Sequence, residues 1–306
     1  MIYLVLSILS SAFMMLLFKW FPRYKVDTFQ AIVVNYQVCV LTGLLLTPPP
    51  ADKLSIYNLT EQSWLLPAII LGASFVSCFP WIGRSVQKHG ATVTTVAGRT
   101  SMIMPVSVAI YLYGDSLSLG KFLGLILALA AILLTSIHPN PTDTRRKDEL
   151  SIGKRFTLPI LPLMVFAMNG IIEIMFNYSQ RYFVKEGQYE FFTIALFVAA
   201  AIIGMLSMLY TIFVSRTRKW AKQNLWAGII LGIPNYFSAY FLLLALEKSH
   251  LESSSVIPLN NIGIVILTCM GALLLFNEKL TRLSGIGLIL AVVAICCISG
   301  CMKLGA

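Results

Sequence analysis

The chain has 306 residues, of which 58% are hydrophobic and only 12% are charged. Soluble domains average about 25% charged residues, so this chain cannot cover a water-facing surface of its size. The composition therefore excludes a soluble globular protein, a disordered chain and a fibrous repeat. Because a membrane-spanning helix takes about 20 apolar residues, a chain of this length with short loops has room for roughly ten spans.

Ten apolar runs of helical length follow one another along the chain. They cover residues 2–18, 29–47, 64–83, 92–112, 119–137, 158–178, 191–214, 225–245, 254–276 and 284–301. The segment 138–157 between the fifth and sixth runs is rich in Pro, Arg and Lys, and it is too short and polar to be a domain. We predict an all-α integral membrane protein of ten transmembrane helices. Its two five-helix halves, 1–137 and 158–306, are joined by this basic linker.

The formal net charge is +10, from 23 Lys and Arg against 13 Asp and Glu. In a soluble protein this charge would suggest nucleic acid, but here the cations lie in short loops, where a lipid bilayer explains them and no nucleic-acid partner is expected. Loops after predicted helices 1, 3, 5, 7 and 9 carry 16 Lys and Arg, whereas the other loops and the C-terminal tail carry six. The positive-inside rule then predicts a multi-pass protein of the inner or plasma membrane with both termini outside.

The two halves repeat each other. Residues 69–72, Ile-Ile-Leu-Gly, recur at 229–232, and a longer ungapped match relates 115–132 to 278–295. In the longer match Ala128 and Ala131 fall on Ala291 and Ala294. Because each half has an odd number of helices, the second half must enter the membrane from the opposite side. We therefore predict an inverted repeat, an architecture on which many secondary transporters are built.

Each half also has a short acidic turn before its last, glycine-bearing helix, at residues 113–117 and 276–280, centred on Asp115 and Glu278. With these turns, the ten helices, the duplication and the segment 245–258, the chain resembles the EamA-like branch of the drug/metabolite transporter superfamily. The resemblance covers the whole chain and implies secondary transport of a small metabolite through a central cavity. Relatives are usually drawn with cytoplasmic termini, the opposite of what the charge count indicates.

Arg99 is one of two ionisable residues well inside the predicted spans, where a charge is costly and needs a reason. It shares a helix face with Thr95 and Met102. One interpretation is a cavity cation that binds an anionic group of the substrate or moves as a gate charge. The alternative is a structural arginine held by backbone carbonyls and Glu173, or one that reaches to the headgroups.

Glu173 is the second such residue, and it belongs to a polar stripe. Asn169, Glu173 and Asn177 follow at i, i+4 and i+8, so they stack on one face of the sixth predicted helix. Since such a stripe is unfavourable against lipid, it should face the protein interior. A carboxyl there could exchange a proton and couple transport to a proton gradient. The alternative is an acid that holds helices together through hydrogen bonds.

Polar residues in the second, eighth and ninth runs could line the same cavity. These residues are Asn35, Asn235, Tyr236, Asn260 and Asn261. Pro258 and Gly263 flank the last two amides, and a proline inside a helix removes one backbone hydrogen bond. We therefore predict a weakened helix at Pro258 whose freed carbonyls face a ligand, with a kinked packing helix as the alternative.

Together these features predict a permease that moves a small-molecule substrate by alternating access, with or without proton coupling, and no enzyme. No cofactor, metal or catalytic residue is expected, because the spans carry no histidine cluster and the chain has no P-loop. Gly120 and Gly124 form a GxxxG pattern, which indicates either a close helix contact or a homodimer face. The alternative functions are a polytopic membrane enzyme acting on a lipid or isoprenoid, and a channel.

Overall fold

A computed structural model describes residues 2–46, 62–113, 119–136, 160–184, 189–248, 253–278 and 281–298. In these residues the fold is all-helical, as predicted. The helices are α1 (Ile2–Trp20), α2 (Thr28–Leu46), α3 (Leu65–His89), α4 (Ala91–Thr100), α5 (Ile103–Tyr113), α6 (Leu119–Ser136), α7 (Ile160–Tyr182), α8 (Tyr189–Leu209), α9 (Lys222–Lys248), α10 (Ser253–Phe276) and α11 (Arg282–Ile298). The linker 138–157 and Asp115 lie outside the described residues.

Seven segments in the described part are long and apolar enough to cross a membrane. They are Ile2–Tyr24, Thr28–Leu46, Leu65–His89, Ile160–Ser179, Phe191–Val214, Lys222–Leu242 and Leu259–Phe276. Two shorter apolar helices are Phe122–Ile132 and Arg282–Cys297. These lengths are compatible with a multi-pass membrane protein, since about 20 residues cross the hydrocarbon layer.

The helix predicted over 92–112 is broken at Ser101 and Met102, between α4 and α5. Pro105 explains the position of the break, because it has no N–H to donate to the carbonyl of Ser101 and its ring crowds that carbonyl. Met104 N–H donates to Ser101 O instead, at 2.9 Å. The Ser101 hydroxyl donates to Gly98 O at 2.6 Å and the Thr100 hydroxyl to Val96 O at 2.8 Å. These hydroxyl groups therefore bond to backbone carbonyls near the C-terminal end of α4.

The break predicted at Pro258 is not found. Ser253–Phe276 is one α-helix, and Pro258 lies in its second turn. Pro258 removes the one hydrogen bond that its N–H would make to the carbonyl of residue 254, and the helix continues past it, as α3 and α9 continue past Pro80 and Pro234. The discontinuity in the polar part of the molecule is therefore at Ser101, not at Pro258.

The helices form two compact units. Unit 1 contains Met1–Lys19, Trp81–Gly170 and Ser238–Ala306, and unit 2 contains Trp20–Pro80 and Ile171–Phe237. Each unit takes segments from both halves of the sequence. The compact units therefore do not coincide with the two halves 1–137 and 158–306.

In unit 1, α6 and α11 pack antiparallel along a face of small residues. Ala131 clusters with Ala291, and Ala128 clusters with Ala294. A methyl group added to Gly287 in the first turns of α11 would lie 2.8 Å from Thr135 at the end of α6. Gly120 and Gly124 of the GxxxG pattern are buried on α6. The small-residue face of α6 thus makes a close helix contact within the chain.

Other contacts fix the directions of the remaining helices of unit 1. Ile8 packs on Gly263 and Leu16 on Gly271, so α1 runs parallel to α10. The Ser7 hydroxyl donates to Ser238 O at 2.8 Å, and the Tyr3 ring stacks on Phe241 with centroids 6.5 Å apart. The residue numbers rise on α1 as they fall on α9, so this second pair is antiparallel.

Unit 2 contains two close glycine contacts of the same kind. A methyl group on Gly72 of α3 would lie 2.8 Å from both Leu196 O and Ala199 Cβ of α8. A methyl group on Gly232 of α9 would lie 2.9 Å from Asn35 O and 2.6 Å from Val38 Cβ of α2. In both cases a glycine at the end of an Ile-Ile-Leu-Gly run packs on a carbonyl and on the side chain three residues later.

The helices α2 and α8 themselves pack antiparallel in unit 2. Gln37 Nε2 donates to Ala201 O at 2.9 Å, and Val33, one turn earlier on α2, packs against Gly204, one turn later on α8. The Tyr36 and Phe197 rings meet with centroids 6.4 Å apart. Tyr36 is fully buried in this contact.

Candidate functional site

The polar centre of unit 1 is built around Arg99, which lies in the last turn of α4, directly before the break. Arg99 Nη1 donates to Asn261 Oδ1 of α10 at 3.3 Å. Asn261 is buried, with 7% of its surface exposed, and its Nδ2 points to Met102 Sδ at 3.8 Å. The structure thus brings together two of the residues that the sequence analysis selected separately. Arg99 itself is half-buried.

The antiparallel helices α4 and α10 carry further buried polar atoms beside this pair. Thr95 Oγ1, Asn260 Oδ1 and Thr268 Oγ1 have no protein hydrogen-bond partner among the described residues. Buried polar atoms usually have a partner, so such atoms mark places where water or a polar ligand completes the bonding. Thr95 lies one turn before Arg99 on the same face, as the sequence analysis expected.

Asn169 of α7 joins the same region of unit 1. A methyl group added to Gly98 would lie 2.9 Å from Asn169 Nδ2, so the amide packs directly on the backbone next to Arg99. Gly170 packs equally closely on Met104, just after the break. Two small residues, Gly98 and Gly170, therefore allow α7 to approach the broken helix on both sides of Ser101.

The rest of the polar stripe on α7 belongs to unit 2 and is less buried than expected. Glu173 is half-buried, and Asn177 is exposed. Asn177 lies five residues before the end of α7 at Tyr182, which is about 8 Å along the helix axis. An amide this close to a helix end can remain hydrated at headgroup level, so the stripe does not need to be buried along its whole length.

The polar centre of unit 2 is a neutral amide cluster. Asn235 Nδ2 donates to Asn35 Oδ1 at 3.0 Å, and Cys39 Sγ lies 3.7 Å from the same oxygen and 3.5 Å from Gly232 O. All three side chains are buried. Asn35 Nδ2 has no protein partner among the described residues. The close approach of α9 to α2 at Gly232 brings the two asparagines within reach of each other.

Tyr236, the remaining candidate of α9, packs on the backbone of α2. Its ring lies 3.0 Å from the position that a methyl group on Gly43 would take, and only 6% of its surface is exposed. It also meets Phe237 edge to face, with centroids 5.9 Å apart. These contacts make Tyr236 a packing residue of unit 2.

A third polar cluster was not selected as a site from the sequence. The Glu278 carboxylate accepts a bond from Ala91 N–H at 3.1 Å and from the Thr92 hydroxyl at 3.4 Å, and it pairs with Lys19 Nζ at 2.9 Å. It therefore caps the N-terminus of α4, where the helix dipole favours an anion. Gly90 precedes the helix with φ of 97°, and a methyl group there would lie 2.9 Å from Glu278 Oε1.

The Glu278 cap matters because α4 is only ten residues long. One end is held by Glu278 and Lys19, and the other end carries Arg99. The cap therefore fixes one end of the helix that carries the arginine in its last turn. In the sequence, only the acidic turn at Glu278 pointed to this cluster. A single sequence does not show that the Glu278 carboxylate reaches Ala91.

The comparisons with known proteins place the chain among relatives of unassigned function. An uncharacterized protein of Haemophilus influenzae is 25% identical over 296 residues, which are 96% of each chain. A crystal structure of another protein has a TM-score of 0.54 and 12% identity, and the similarity covers 95% of both chains. No protein-family model matches the chain. The structural similarity indicates a shared fold over nearly the full length.

Proposed function

We propose that the protein is a secondary-active transporter of the EamA-like branch of the drug/metabolite transporter superfamily, with ten transmembrane helices in two inverted repeats. It moves a small polar metabolite by alternating access. The single observation that carries this proposal is Arg99, a guanidinium held by Asn261 inside apolar helices and next to a helix break. A charge at membrane depth is unfavourable unless it serves a substrate or ion pathway.

The helix directions support the inverted repeat. Helices that occupy the same place in the two halves pack antiparallel: α2 with α8, α4 with α10 and α6 with α11. The α6–α11 contacts are reciprocal, because Ala128 meets Ala294 and Ala131 meets Ala291, and these residues correspond to one another in the sequence repeat. A reciprocal antiparallel contact is what a local two-fold axis produces.

Directions between other helices support alternating membrane crossings in the same way. The first and ninth predicted helices, α1 and α10, are parallel, and so are the third and seventh, α3 and α8. The second and eighth, α2 and α9, are parallel as well. Within each unit, these pairs of predicted helices with the same parity, odd with odd or even with even, are therefore parallel. A chain in which every helix crosses the membrane gives this pattern, because each crossing reverses the direction of the chain.

The site chemistry favours a substrate with an anionic group. A guanidinium binds carboxylates and phosphates through paired, charge-assisted hydrogen bonds. Asn261 bonds to it, and Thr95 and Asn260 add buried polar atoms on the same two helices, which suit the polar remainder of a small metabolite. Asn169 packs beside the same stretch of α4 and completes the polar wall of unit 1.

A ligand screen tests the proposal. Thermal stability of the purified protein is measured with a library of small carboxylates, phosphates and matched neutral analogues. We expect at least one anionic compound to raise the melting temperature of the wild type. R99A should lose this stabilisation, and the affinity should fall about 10–100-fold, the effect of losing one or two charge-assisted bonds.

Two further variants serve as controls for R99A. R84A is the matched control, because Arg84 is exposed and its guanidinium lies over the Trp81 ring at 4.9 Å. R99K keeps the charge but not the paired geometry, so it should bind with intermediate affinity. Equal loss of anionic and neutral ligands in R99A would show that Arg99 is structural, and the proposed substrate site would then be wrong.

A further inference from the structure

Two loop segments of unit 2 are joined into one surface. The segment 21–27 follows α1 and begins with a 3₁₀-helix at Phe21–Tyr24, and the segment 215–224 includes the first turn of α9. Asp27 accepts bonds from Phe29 N–H and Gln30 N–H, which caps α2, and its other oxygen pairs with Arg218. The Asn224 side chain accepts a bond from Asp27 N–H at 2.9 Å.

Additional bonds extend this connection on both sides of Asp27. Gln223 Nε2 donates to Lys25 O at 3.1 Å, and Gln30 Nε2 donates to Lys219 O at 3.0 Å. Asn224 Nδ2 donates to Gln30 Oε1 at 2.8 Å. These bonds and the Asp27–Arg218 ion pair hold the two segments next to each other, and none of them uses a lysine side chain.

The joined surface is strongly basic. It presents five exposed cations and two exposed aromatic rings, which we name the basic platform: Arg23, Lys25, Arg216, Lys219, Lys222, Tyr24 and Trp220. Asp27 is the one acid in these two segments, and it is engaged by Arg218. None of the five cations makes an ion pair with a described residue.

We propose that the basic platform binds the headgroup of an anionic phospholipid. Clustered Lys and Arg at a membrane surface attract acidic lipid, and Trp and Tyr anchor at the same headgroup level. Tyr24 is 64% exposed and Trp220 48% exposed, although they lie among charged residues. Rings of this kind next to cations suit a partner that has both a phosphate and an acyl chain.

Two cations of unit 1 on the same side of the predicted topology are engaged by neighbouring side chains. Lys19 in unit 1 is neutralised by Glu278, and Arg84 lies over the ring of Trp81. The cations of the basic platform lack comparable partners among the described residues. The inference is independent of which metabolite the protein moves, and it does not require the protein to be a transporter.

The test is native mass spectrometry of the purified full-length protein, released from micelles that contain equal amounts of phosphatidylglycerol and phosphatidylcholine. We expect the wild type to retain phosphatidylglycerol preferentially. Each cation near an anionic membrane surface changes affinity by about a factor of five. The variant R216Q/K219Q/K222Q should therefore lose retention by about 100-fold at low salt. R23Q/K25Q should lose about 25-fold and provides a second route if the triple variant does not fold.

The matched control is R84Q/K88Q/R282Q, which removes three cations of unit 1 and should keep the wild-type preference. The charge-preserving variant R216K/K219R/K222R should also keep it. Inorganic phosphate at the same concentration should not displace the lipid, because it lacks the acyl chains that the aromatic rings favour. Equal retention of both lipids by the wild type, equal loss in the control, or full displacement by phosphate would each overturn the proposal.

Discussion

The two units bury polar side chains among apolar helices in different ways. In unit 2, Asn235 donates to Asn35 in a neutral cluster between continuous helices that pack closely at Gly232. In unit 1, Asn261 receives a bond from a charged partner, Arg99, in a helix that ends one residue later, at Thr100. A neutral pair holds helices together, whereas a charge beside a break is suited to binding a ligand and to moving.

The largest expected effect concerns Glu173, the half-buried acid of α7 in unit 2. If Glu173 carries protons, the binding charge and the coupling acid belong to different units. E173Q should then abolish uptake driven by a pH gradient, because the amide cannot exchange a proton, while expression and exchange without a gradient are retained. The measurement is uptake into proteoliposomes with and without an imposed gradient. Undiminished gradient-driven uptake by E173Q would remove the coupling role.

A packing substitution comes next in size. G232A places a methyl group against Val38 and Asn35 O, in the contact that brings Asn35 and Asn235 together. Overpacking of this kind lowers the free energy of unfolding by about 1–3 kcal/mol. G285A is the matched control, because nothing lies within 4 Å of the added methyl group, and it should raise stability by up to about 1 kcal/mol. Denaturant titration in micelles measures both, and equal effects would refute the close contact.

The cap of α4 is the next test. E278A removes the acceptor for Ala91 N–H and leaves Lys19 unpaired, so the free energy of unfolding should fall by about 1–2 kcal/mol. E278Q keeps an acceptor for the N–H and should show about half of this loss. Since α4 carries Arg99, both variants should also weaken ligand binding. Wild-type stability in E278A would show that the cap does not hold the helix.

The smallest effect is expected for the asparagine pair of unit 2. A double-mutant cycle with N35L and N235L should give a coupling free energy of about 0.6 kcal/mol, typical of hydrogen bonds between membrane helices. The double variant should still bind and exchange substrate, because its cluster holds helices and does not contact the ligand. A stable double variant without substrate exchange would place Asn35 and Asn235 in the binding site, and the contrast between the units would fail.

The sequence predicted what depends on local pattern. Apolar runs predicted the helices within a few residues, and the Ile-Ile-Leu-Gly repeat indicated Gly72 and Gly232, which make the same contact twice. It also selected Asn261 as a candidate for lining a cavity, and in the structure Asn261 accepts a bond from Arg99. The break was expected at Pro258 instead of Ser101, although Pro105 carried the same signal four residues after the break. A proline alone does not decide the outcome, because α3 and α9 continue past Pro80 and Pro234, whereas the chain breaks just before Pro105.

A single sequence could not predict contacts between segments that are far apart in the chain. The bonds from Asn235 to Asn35 and from Ala91 to Glu278 join residues about 200 positions apart, and no spacing rule relates them. The exposure of Asn177 was misjudged because i, i+4, i+8 spacing gives a face but not a depth. Helix periodicity therefore predicts which residues share a face, while the partner of that face depends on the tertiary packing.

Substrate counterflow tests the central claim most directly. Proteoliposomes are loaded with an unlabelled anionic ligand from the stability screen, and uptake of the labelled compound is followed without any ion gradient. A carrier with alternating access should show a transient accumulation of label above equilibrium in the wild type and in R84A, and none in R99A. Ionic current without counterflow, or chemical conversion of the compound, would contradict the transporter and indicate a channel or a membrane enzyme instead.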